Sequence, residues 1–182
     1  MDIVLFGIQG SGKGTQAKKL AADFGYKIFE AGGELRKIAA SGSELGEKVK
    51  SFIDAGHLVP HDIIMQVVSE AIDQVPKDTV IIFDGIPRDE NQMRDFDTIM
   101  KNAGRDFRAL HFILSADEGV TRIGGRAKVE GRADDANEEA VRRRMALFQE
   151  KTMPVIEAYR SQGKVTDINA AQDVAMVYDE LK

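Results

Sequence analysis

The chain contains no cysteine. That excludes disulfides and any thiolate zinc site, and it fits a reducing cytoplasm. No stretch is apolar over the length a membrane-spanning helix requires, and Met1 leads straight into an apolar strand, so neither a membrane span nor a signal peptide is expected. Basic residues are in the minority. Lys and Arg number 25 against 30 Asp and Glu, for a net charge of −5, which argues against a nucleic-acid binder with its basic face. There are only four prolines and no low-complexity tract, so no linker is expected. No internal repeat is visible. What remains is 182 residues, 43% apolar and 30% charged. This is the composition of one soluble globular domain able to bury a real core, with room for small appended subdomains.

Short apolar runs of β type occur at 2–6, 26–30, 79–83, 108–114 and 164–168. Val80-Ile81-Ile82-Phe83 and Leu110-His111-Phe112-Ile113-Leu114 scarcely alternate, as strands covered on both faces do not. Helical stretches are predicted at 13–24, 33–41, 43–55, 61–75, 90–102, 117–124, 135–161 and 171–181, the long one with a kink or break at Pro154. Strands alternating with helices imply an α/β domain with a parallel sheet. Ligands of such sheets bind beyond the carboxyl ends of the strands, which would place Gly7–Thr15, Asp84–Arg88 and Ser115 along one crevice.

The most informative segment is Gly7-Ile8-Gln9-Gly10-Ser11-Gly12-Lys13-Gly14-Thr15-Gln16. It follows the run Ile3–Phe6 and opens a helix. Glycines allow successive backbone N–H groups to turn toward one anion, the helix start adds the positive end of its dipole, and Lys13 adds a mobile charge. The spacing is that of a phosphate-binding loop, except that Gly14 stands where the general motif has Ser or Thr and the hydroxyl comes at Thr15. Asp84 ends a buried strand at the ligand end of the sheet, where a carboxylate can hold water on a magnesium ion, although an aspartate there can equally cap a turn. Arg88 follows Pro87, and its planar fork suits phosphate oxygens. Val141, Met145 and Phe148 form an apolar stripe at helical spacing. Arg144 flanks that stripe and can face a cleft, while Arg142 and Arg143 project away. Arg122 and Arg126 share a helix face, and Asp134 and Asp135 can cap the helix that follows.

Taken together, these segments resemble the nucleoside monophosphate kinases, and specifically the adenylate kinases, over nearly the whole chain. Gly7–Gln16 is similar to the family's phosphate loop. Ala31-Gly32-Gly33-Glu34-Leu35-Arg36 is similar to the start of its monophosphate-binding helix. Gly42–Gly46 and Asp54–Pro60 resemble the next two elements, and Asp84–Arg88 with Gln92 resembles the family signature. Arg122–Arg126 and Arg132–Arg144 resemble the arginine-bearing lid region.

The resemblance implies a P-loop NTPase-type three-layer α/β/α fold with a five-stranded parallel sheet. The core would be 1–30, 61–125 and 133–182, with a helical NMP-binding insert at 31–60 and a minimal lid at 126–132. It also implies in-line, Mg²⁺-assisted phosphoryl transfer from ATP to AMP giving two ADP, which needs alignment and charge neutralisation rather than a side-chain nucleophile. Lys13, Arg88, Arg126, Arg132 and Arg144 would be catalytic. Gly10, Ser11, Gly12, Lys13, Gly14, Thr15, Arg122, Arg126 and the loop near Gln172 would hold ATP. Ala31, Gly32, Arg36, His57, Leu58, Val59, Gly85, Ile86, Pro87, Arg88, Gln92, Arg132 and Arg144 would hold AMP. The Gln92 amide would pair with the adenine by donating and accepting at once. Thr15 and Asp84 would serve Mg²⁺, mainly through water, and no zinc is expected. The implied partners are ATP, AMP and ADP, with no membrane and no nucleic acid, and the implied state is a cytoplasmic monomer.

Several positions depart from the family pattern. Ala31 stands in place of threonine, as in the uridylate/cytidylate kinase branch, whereas Gln92 favours adenine. Gly33 replaces an aspartate beside the metal waters, Gln9 replaces a proline, and Ile86 an aromatic residue. Only a five-residue loop separates Arg126 from Arg132, so the helices around 117–148 would have to close the site directly. The alternatives are a uridylate/cytidylate kinase and a nucleotide-binding regulatory module with weak transfer activity. The arginine set disfavours the module, and a guanine-nucleotide switch would also require an Asn-Lys-x-Asp base reader, which is absent. His57, His61 and His111 are read as non-catalytic.

Overall fold

A computed structural model describes residues 1–130 and 138–182, the side chains of 126–130 and 138 excepted. Five parallel strands form one sheet: β1 (Asp2–Phe6), β2 (Lys27–Glu30), β3 (Ile81–Asp84), β4 (Phe107–Ile113) and β5 (Val165–Asn169). Their order is β2-β3-β1-β4-β5. The three-layer α/β fold expected from the sequence is the one observed.

Strand alternation divides the core in two. Val4 and Phe6 of β1, with Ile81 and Phe83 of β3, face one layer, where they meet Phe96, Met100, Val155, Ile156 and Tyr159. Leu5 and Ile82 point the other way, onto Ala17, Leu20, Val177 and Tyr178. The first layer contains α4 (His61–Asp73), α5 (Glu90–Asn102) and α8 (Met153–Ser161). The second contains α1 (Lys13–Phe24) and α9 (Val174–Leu181). A chain of aromatic contacts, Phe29–Phe83–Phe96–Phe107–Tyr159–Phe6, with centroids 5.1–6.1 Å apart, runs through the first layer. Such edge-on pairs add to the stabilisation from burial alone.

Between β2 and α4 lie α2 (Ala31–Ala39) and α3 (Glu44–Asp54). Ser43 caps α3 by accepting from Gly46 N at 3.0 Å, the cap expected of a serine at that position. α6 (Ala116–Glu130) is longer than the predicted 117–124. Ala127–Glu130, read as part of a five-residue loop, belong to its last turn; the glycine pair Gly124-Gly125 concealed the continuation.

The stretch read as 135–161 is interrupted before Pro154, not at it. α7 (Glu138–Leu147) passes into a π-helical turn, Phe148–Thr152, and then into α8, with Met153 N donating to Phe148 O. Pro154 has no N–H and its ring would clash with the carbonyl four residues back, so the ladder widens just upstream. The last helix starts at Val174 instead of 171, because Asp173 caps it, accepting from Ala175 N and Met176 N. The expected caps Asp134 and Asp135, the lid 126–132 and the first residues of the core segment from 133 fall, wholly or in part, outside the described residues.

Candidate active site

Beyond the carboxyl ends of β1, β2 and β3 opens a cleft of about 630 Å³. Its floor is the loop between β1 and α1. Gly10 has φ +82°, and a β-carbon there would lie 2.7 Å from Gly119 O. A side chain at Gly10 would therefore both strain the turn and drive the loop off α6. Lys13 Nζ folds over the loop, donating to Gly7 O (2.7 Å) and Ile8 O (3.1 Å). Ser11 is buried beneath it. Gly12 precedes α1 as its cap, and Gly12, Gly14 and Thr15 line the cleft.

Asp84 ends β3 in register with Leu5 on one side and Glu30 on the other. Its Oδ2 lies 3.7 Å from where a β-carbon on Gly14 would stand. The carboxylate thus faces the first turn of α1, beside Thr15. Among the described residues no group of three or more His, Cys, Asp or Glu side chains could hold a metal. One carboxylate with a nearby hydroxyl still fits Mg²⁺, which keeps most of its waters and binds chiefly through substrate phosphates.

Arg88 sits half-buried on the cleft wall. Its Nε donates to Gly85 O at 2.7 Å. Gly85 has φ +86°, and a β-carbon there would come within 2.8 Å of Arg88 Nη2, so the turn and the arginine both require glycine. Burial holds the Arg88 guanidinium below its usual pKa. The Asp84 carboxylate opposes that effect, the Arg144 and Arg36 cations add to it, and Glu30 opposes it. Four charged groups, from three separate stretches of the chain, therefore act on Arg88 here. Arg88 keeps its charge, as guanidinium groups in proteins do.

Arg36 Nη2 donates to Glu30 Oε1 at 2.8 Å. Glu30 was not foreseen as a site residue. A β-carbon on Gly33 would lie 3.3 Å from Glu30 Oε2, so the missing side chain at 33 leaves the space that Glu30 occupies. Gly32 packs against the Arg36 guanidinium. His57 and Leu58 line the cleft, and Arg143 Nη1 approaches His57 Nε2 at 3.4 Å while also pairing with Glu139. Arg143, expected to project away from the cleft, thus touches a residue on its margin.

Behind Arg88 lies a small chamber lined by Ala31, Leu35, Val59, Ile64 and Gln92. Ile86 and Pro87 form part of the main cleft wall. The Gln92 side chain is committed in part: Oε1 accepts from Arg88 N at 2.8 Å. The expectation of an amide wholly available to a base is thereby narrowed to its N–H₂ and one remaining lone pair.

At the other end Arg122 Nη1 donates to Ala170 O (2.9 Å). The Gln172 side chain is held by Glu180 and Asn169 O, which leaves its backbone at the cleft. Lys18, and the bond that the Gln16 side chain makes, were not foreseen. Gln16 Nε2 ties α1 to Val174 O at 2.9 Å, and Lys18 lines the cleft. Arg144 lines the cleft, as its flanking position predicted. Ser115 does not line it. Its hydroxyl instead bonds Glu118 at the start of α6. His61 pairs with Asp95, and His111 with Asp167. The Arg126 side chain and Arg132 lie outside the described residues.

Among the described lining residues, Lys13, Lys18, Arg36, Arg88, Arg122 and Arg144 stand against Glu30, Asp84 and Asp173. Six cations and three carboxylates make a positive cleft in a chain of net charge −5. Such a site suits polyanions.

No helix among the described residues is long and apolar enough to cross a membrane. A family model described as adenylate kinase matches residues 5–164. The chain is similar to the adenylate kinase of Stenotrophomonas maltophilia, at 37% identity over 175 residues, covering 96% of this chain and 93% of that one. It is 35% identical to the Thermus thermophilus adenylate kinase over 181 residues (99% and 94%). It is 32% identical to the Bacteroides fragilis adenylate kinase over 182 residues (100% and 96%). With similarity of that extent, joined to a phosphate loop and a cluster of arginines around one cleft, the chain belongs to the adenylate kinase family of phosphotransferases, which bind nucleotides and pass phosphoryl groups between them.

Proposed function

We propose that the protein catalyses reversible, Mg²⁺-dependent transfer of the γ-phosphoryl group of ATP to AMP, giving two ADP and balancing the adenine nucleotides of the cytoplasm, and that it acts as a monomer. The observation that carries this reading is one cleft with two cationic ends. The loop with Lys13 lies at one, and Arg36 and Arg144 act on Arg88 at the other. Two polyanions bound end to end would meet between them.

In this reading Lys13 and the amides of Gly10, Ser11, Gly12, Gly14 and Thr15 hold the β- and γ-phosphates. Arg122 and the backbone near Gln172 border the ATP base. Arg36 and Arg88 hold the acceptor phosphate, and Arg144, with Arg126 and Arg132, neutralises the transferring group. His57, Leu58 and Val59 border the acceptor. Gln92 reads the acceptor base from the chamber floored by Ala31. Mg²⁺ bound with ATP, beside Asp84 and Thr15, would supply charge neutralisation across the phosphates. The attacking oxygen is already anionic, so positioning and fixed positive charge suffice as catalysis. We take 31–60 and 126–132 as the insert and lid that close on substrate, with α6 and α7 excluding water directly.

The test is diphosphate formation by the purified protein with Mg-ATP and AMP, UMP or CMP in turn. Fastest transfer to AMP is the expected result. Faster transfer to UMP or CMP would shift the reading to the uridylate/cytidylate branch, on the strength of Ala31. ATP binding without transfer to any of the three would identify a regulatory module instead. ATP hydrolysis without acceptor, at a rate rivalling transfer, would overturn closure by the helices alone.

A further inference from the structure

Arg88 is held at three points. Its Nε donates to Gly85 O at 2.7 Å, and its backbone N donates to Gln92 Oε1 at 2.8 Å. Its backbone carbonyl accepts from Thr152 Oγ1 at 2.8 Å. The first two contacts come from the same turn and the helix it opens. The third comes from 64 residues away in sequence.

Thr152 is buried, with 6% of its surface exposed, and borders the cleft. It is the last residue of the π-helical turn Phe148–Thr152. That turn joins α7, which carries Arg144, to α8, which packs Val155, Ile156 and Tyr159 into the core. Widening of the helix ahead of Pro154 changes the side-chain rotation on this rod, and π turns of this kind are often found at functional sites. Here the turn presents the Thr152 hydroxyl to the Arg88 carbonyl and so holds the backbone of that turn from outside. Arg144 lies eight residues earlier on the same rod, and its charge is felt at Arg88.

We propose that Thr152 is a positioning residue. Its hydroxyl fixes Arg88 in register with the helix bearing Arg144, so that the two guanidinium groups meet one phosphate together. This rests on the reading of Arg88 as a ligand of the acceptor phosphate. A hydroxyl bonded to the carbonyl acts on the arginine through its backbone and leaves the guanidinium fork free for the ligand. The consequence is selective. Loss of the bond should loosen the grip on the acceptor and leave the donor end, built on the β1–α1 loop, as it was.

The test compares Thr152→Val, Thr152→Cys and Thr152→Ser with the unaltered protein in steady-state transfer from Mg-ATP to AMP, in equilibrium binding of AMP and of ATP, and in thermal melting. Valine keeps the shape and removes the hydroxyl, cysteine offers only a weak donor, and serine keeps the bond. The loss of one well-placed neutral hydrogen bond predicts about a five-fold rise in Kd and KM for AMP. Kd and KM for ATP should stay within about two-fold, and serine should restore the AMP values. If Thr152→Val does not fold, Thr152→Cys carries the same comparison. Equal weakening of both nucleotides, or a lowered Tm with both affinities unchanged, would overturn the proposal and leave Thr152 a packing residue. If the unaltered protein neither binds AMP nor transfers to it, the functional reading fails as a whole, and that result is distinct from the failure of Thr152 alone.

Discussion

The two ends of the sheet solve opposite problems with the same residue types. At the amino end, Asp2 and Arg105 are only 4% and 5% exposed. Asp2 accepts from Arg105 Nε (2.7 Å), Arg105 Nη2 (3.2 Å) and Ile81 N (2.8 Å). Arg105 also donates to Thr79 O (2.5 Å) and Pro76 O (3.2 Å). One carboxylate and one guanidinium satisfy each other and close the loops beneath β1 and β3. At the carboxyl end, among the described residues, the cations that line the cleft outnumber the carboxylates. A buried ion pair with all its hydrogen bonds made is a structural tie. Cations crowded around one cleft repel one another, and an anionic ligand bound between them relieves that repulsion. The difference supports the carboxyl end as the proposed place of chemistry.

The largest effects should separate these ends. Lys13→Ala and Arg88→Ala should each lower kcat/KM for transfer by about 10²–10³-fold or more, the scale of removing a transition-state charge partner, with little change in Tm. Activity retained within ten-fold would break the assignment of the carboxyl end. Asp2→Ala should do the reverse. It leaves Arg105 buried without its partner and should cost about 3–5 kcal/mol in urea unfolding, with kcat/KM unchanged below the melting range. A loss of catalysis without a loss of stability would show the amino end to be more than a tie.

A smaller effect is expected at Gly33. Gly33→Asp returns the carboxylate usual in the family, but its β-carbon would stand 3.3 Å from Glu30 Oε2. The like charges should push Glu30 off Arg36 and change KM for AMP by about two- to five-fold, with KM for ATP less affected. Glu30→Gln combined with Gly33→Asp should recover part of the change.

The smallest effect concerns His111, buried between β1 and β5 in register with Phe6 and Asp167. Burial lowers its pKa from 6.5 against the opposing pull of Asp167. The unfolded chain therefore binds a proton at higher pH than the folded one, and the stability this group contributes falls as pH drops from about 6.5 toward the lower folded value. In His111→Gln that portion of the slope should be missing when unfolding free energy is measured between about pH 6.5 and pH 5. An unchanged slope would place the burial cost elsewhere.

Much of this architecture was legible before any coordinates. Unalternated apolar runs such as Ile81–Phe83 announce strands covered on both faces, and the glycines at 7, 10 and 12 announce a backbone shaped for an anion, because both signals are local. Arg144 could be placed by its flank on a helical stripe. Three features were less accessible. Glu30 reads as an ordinary end of a strand until Arg36, one and a half helical turns on, folds back to it. Thr152 reads as a helical residue like its neighbours, since only the tertiary approach of the Arg88 turn gives its hydroxyl a purpose. The break near Pro154 was foreseen but set too late, because the proline displaces the hydrogen bonds behind it and not those ahead. Gln92 shows the same limit. Its identity suggested a base reader, yet one lone pair of its amide oxygen serves the Arg88 backbone.

The alternation of Val4, Leu5 and Phe6 has a consequence beyond the core. These residues lead without interruption into Gly7, so β1 acts as a ruler as well as a wall. A slip of one residue against β3 and β4 would turn Val4 and Phe6 toward α1 and Leu5 away from it, and would carry the mouth of the loop about 3.3 Å along the sheet. Any insertion in this strand should therefore spoil core and cleft in a single stroke, whereas an insertion in the turn before Gly42 need disturb neither.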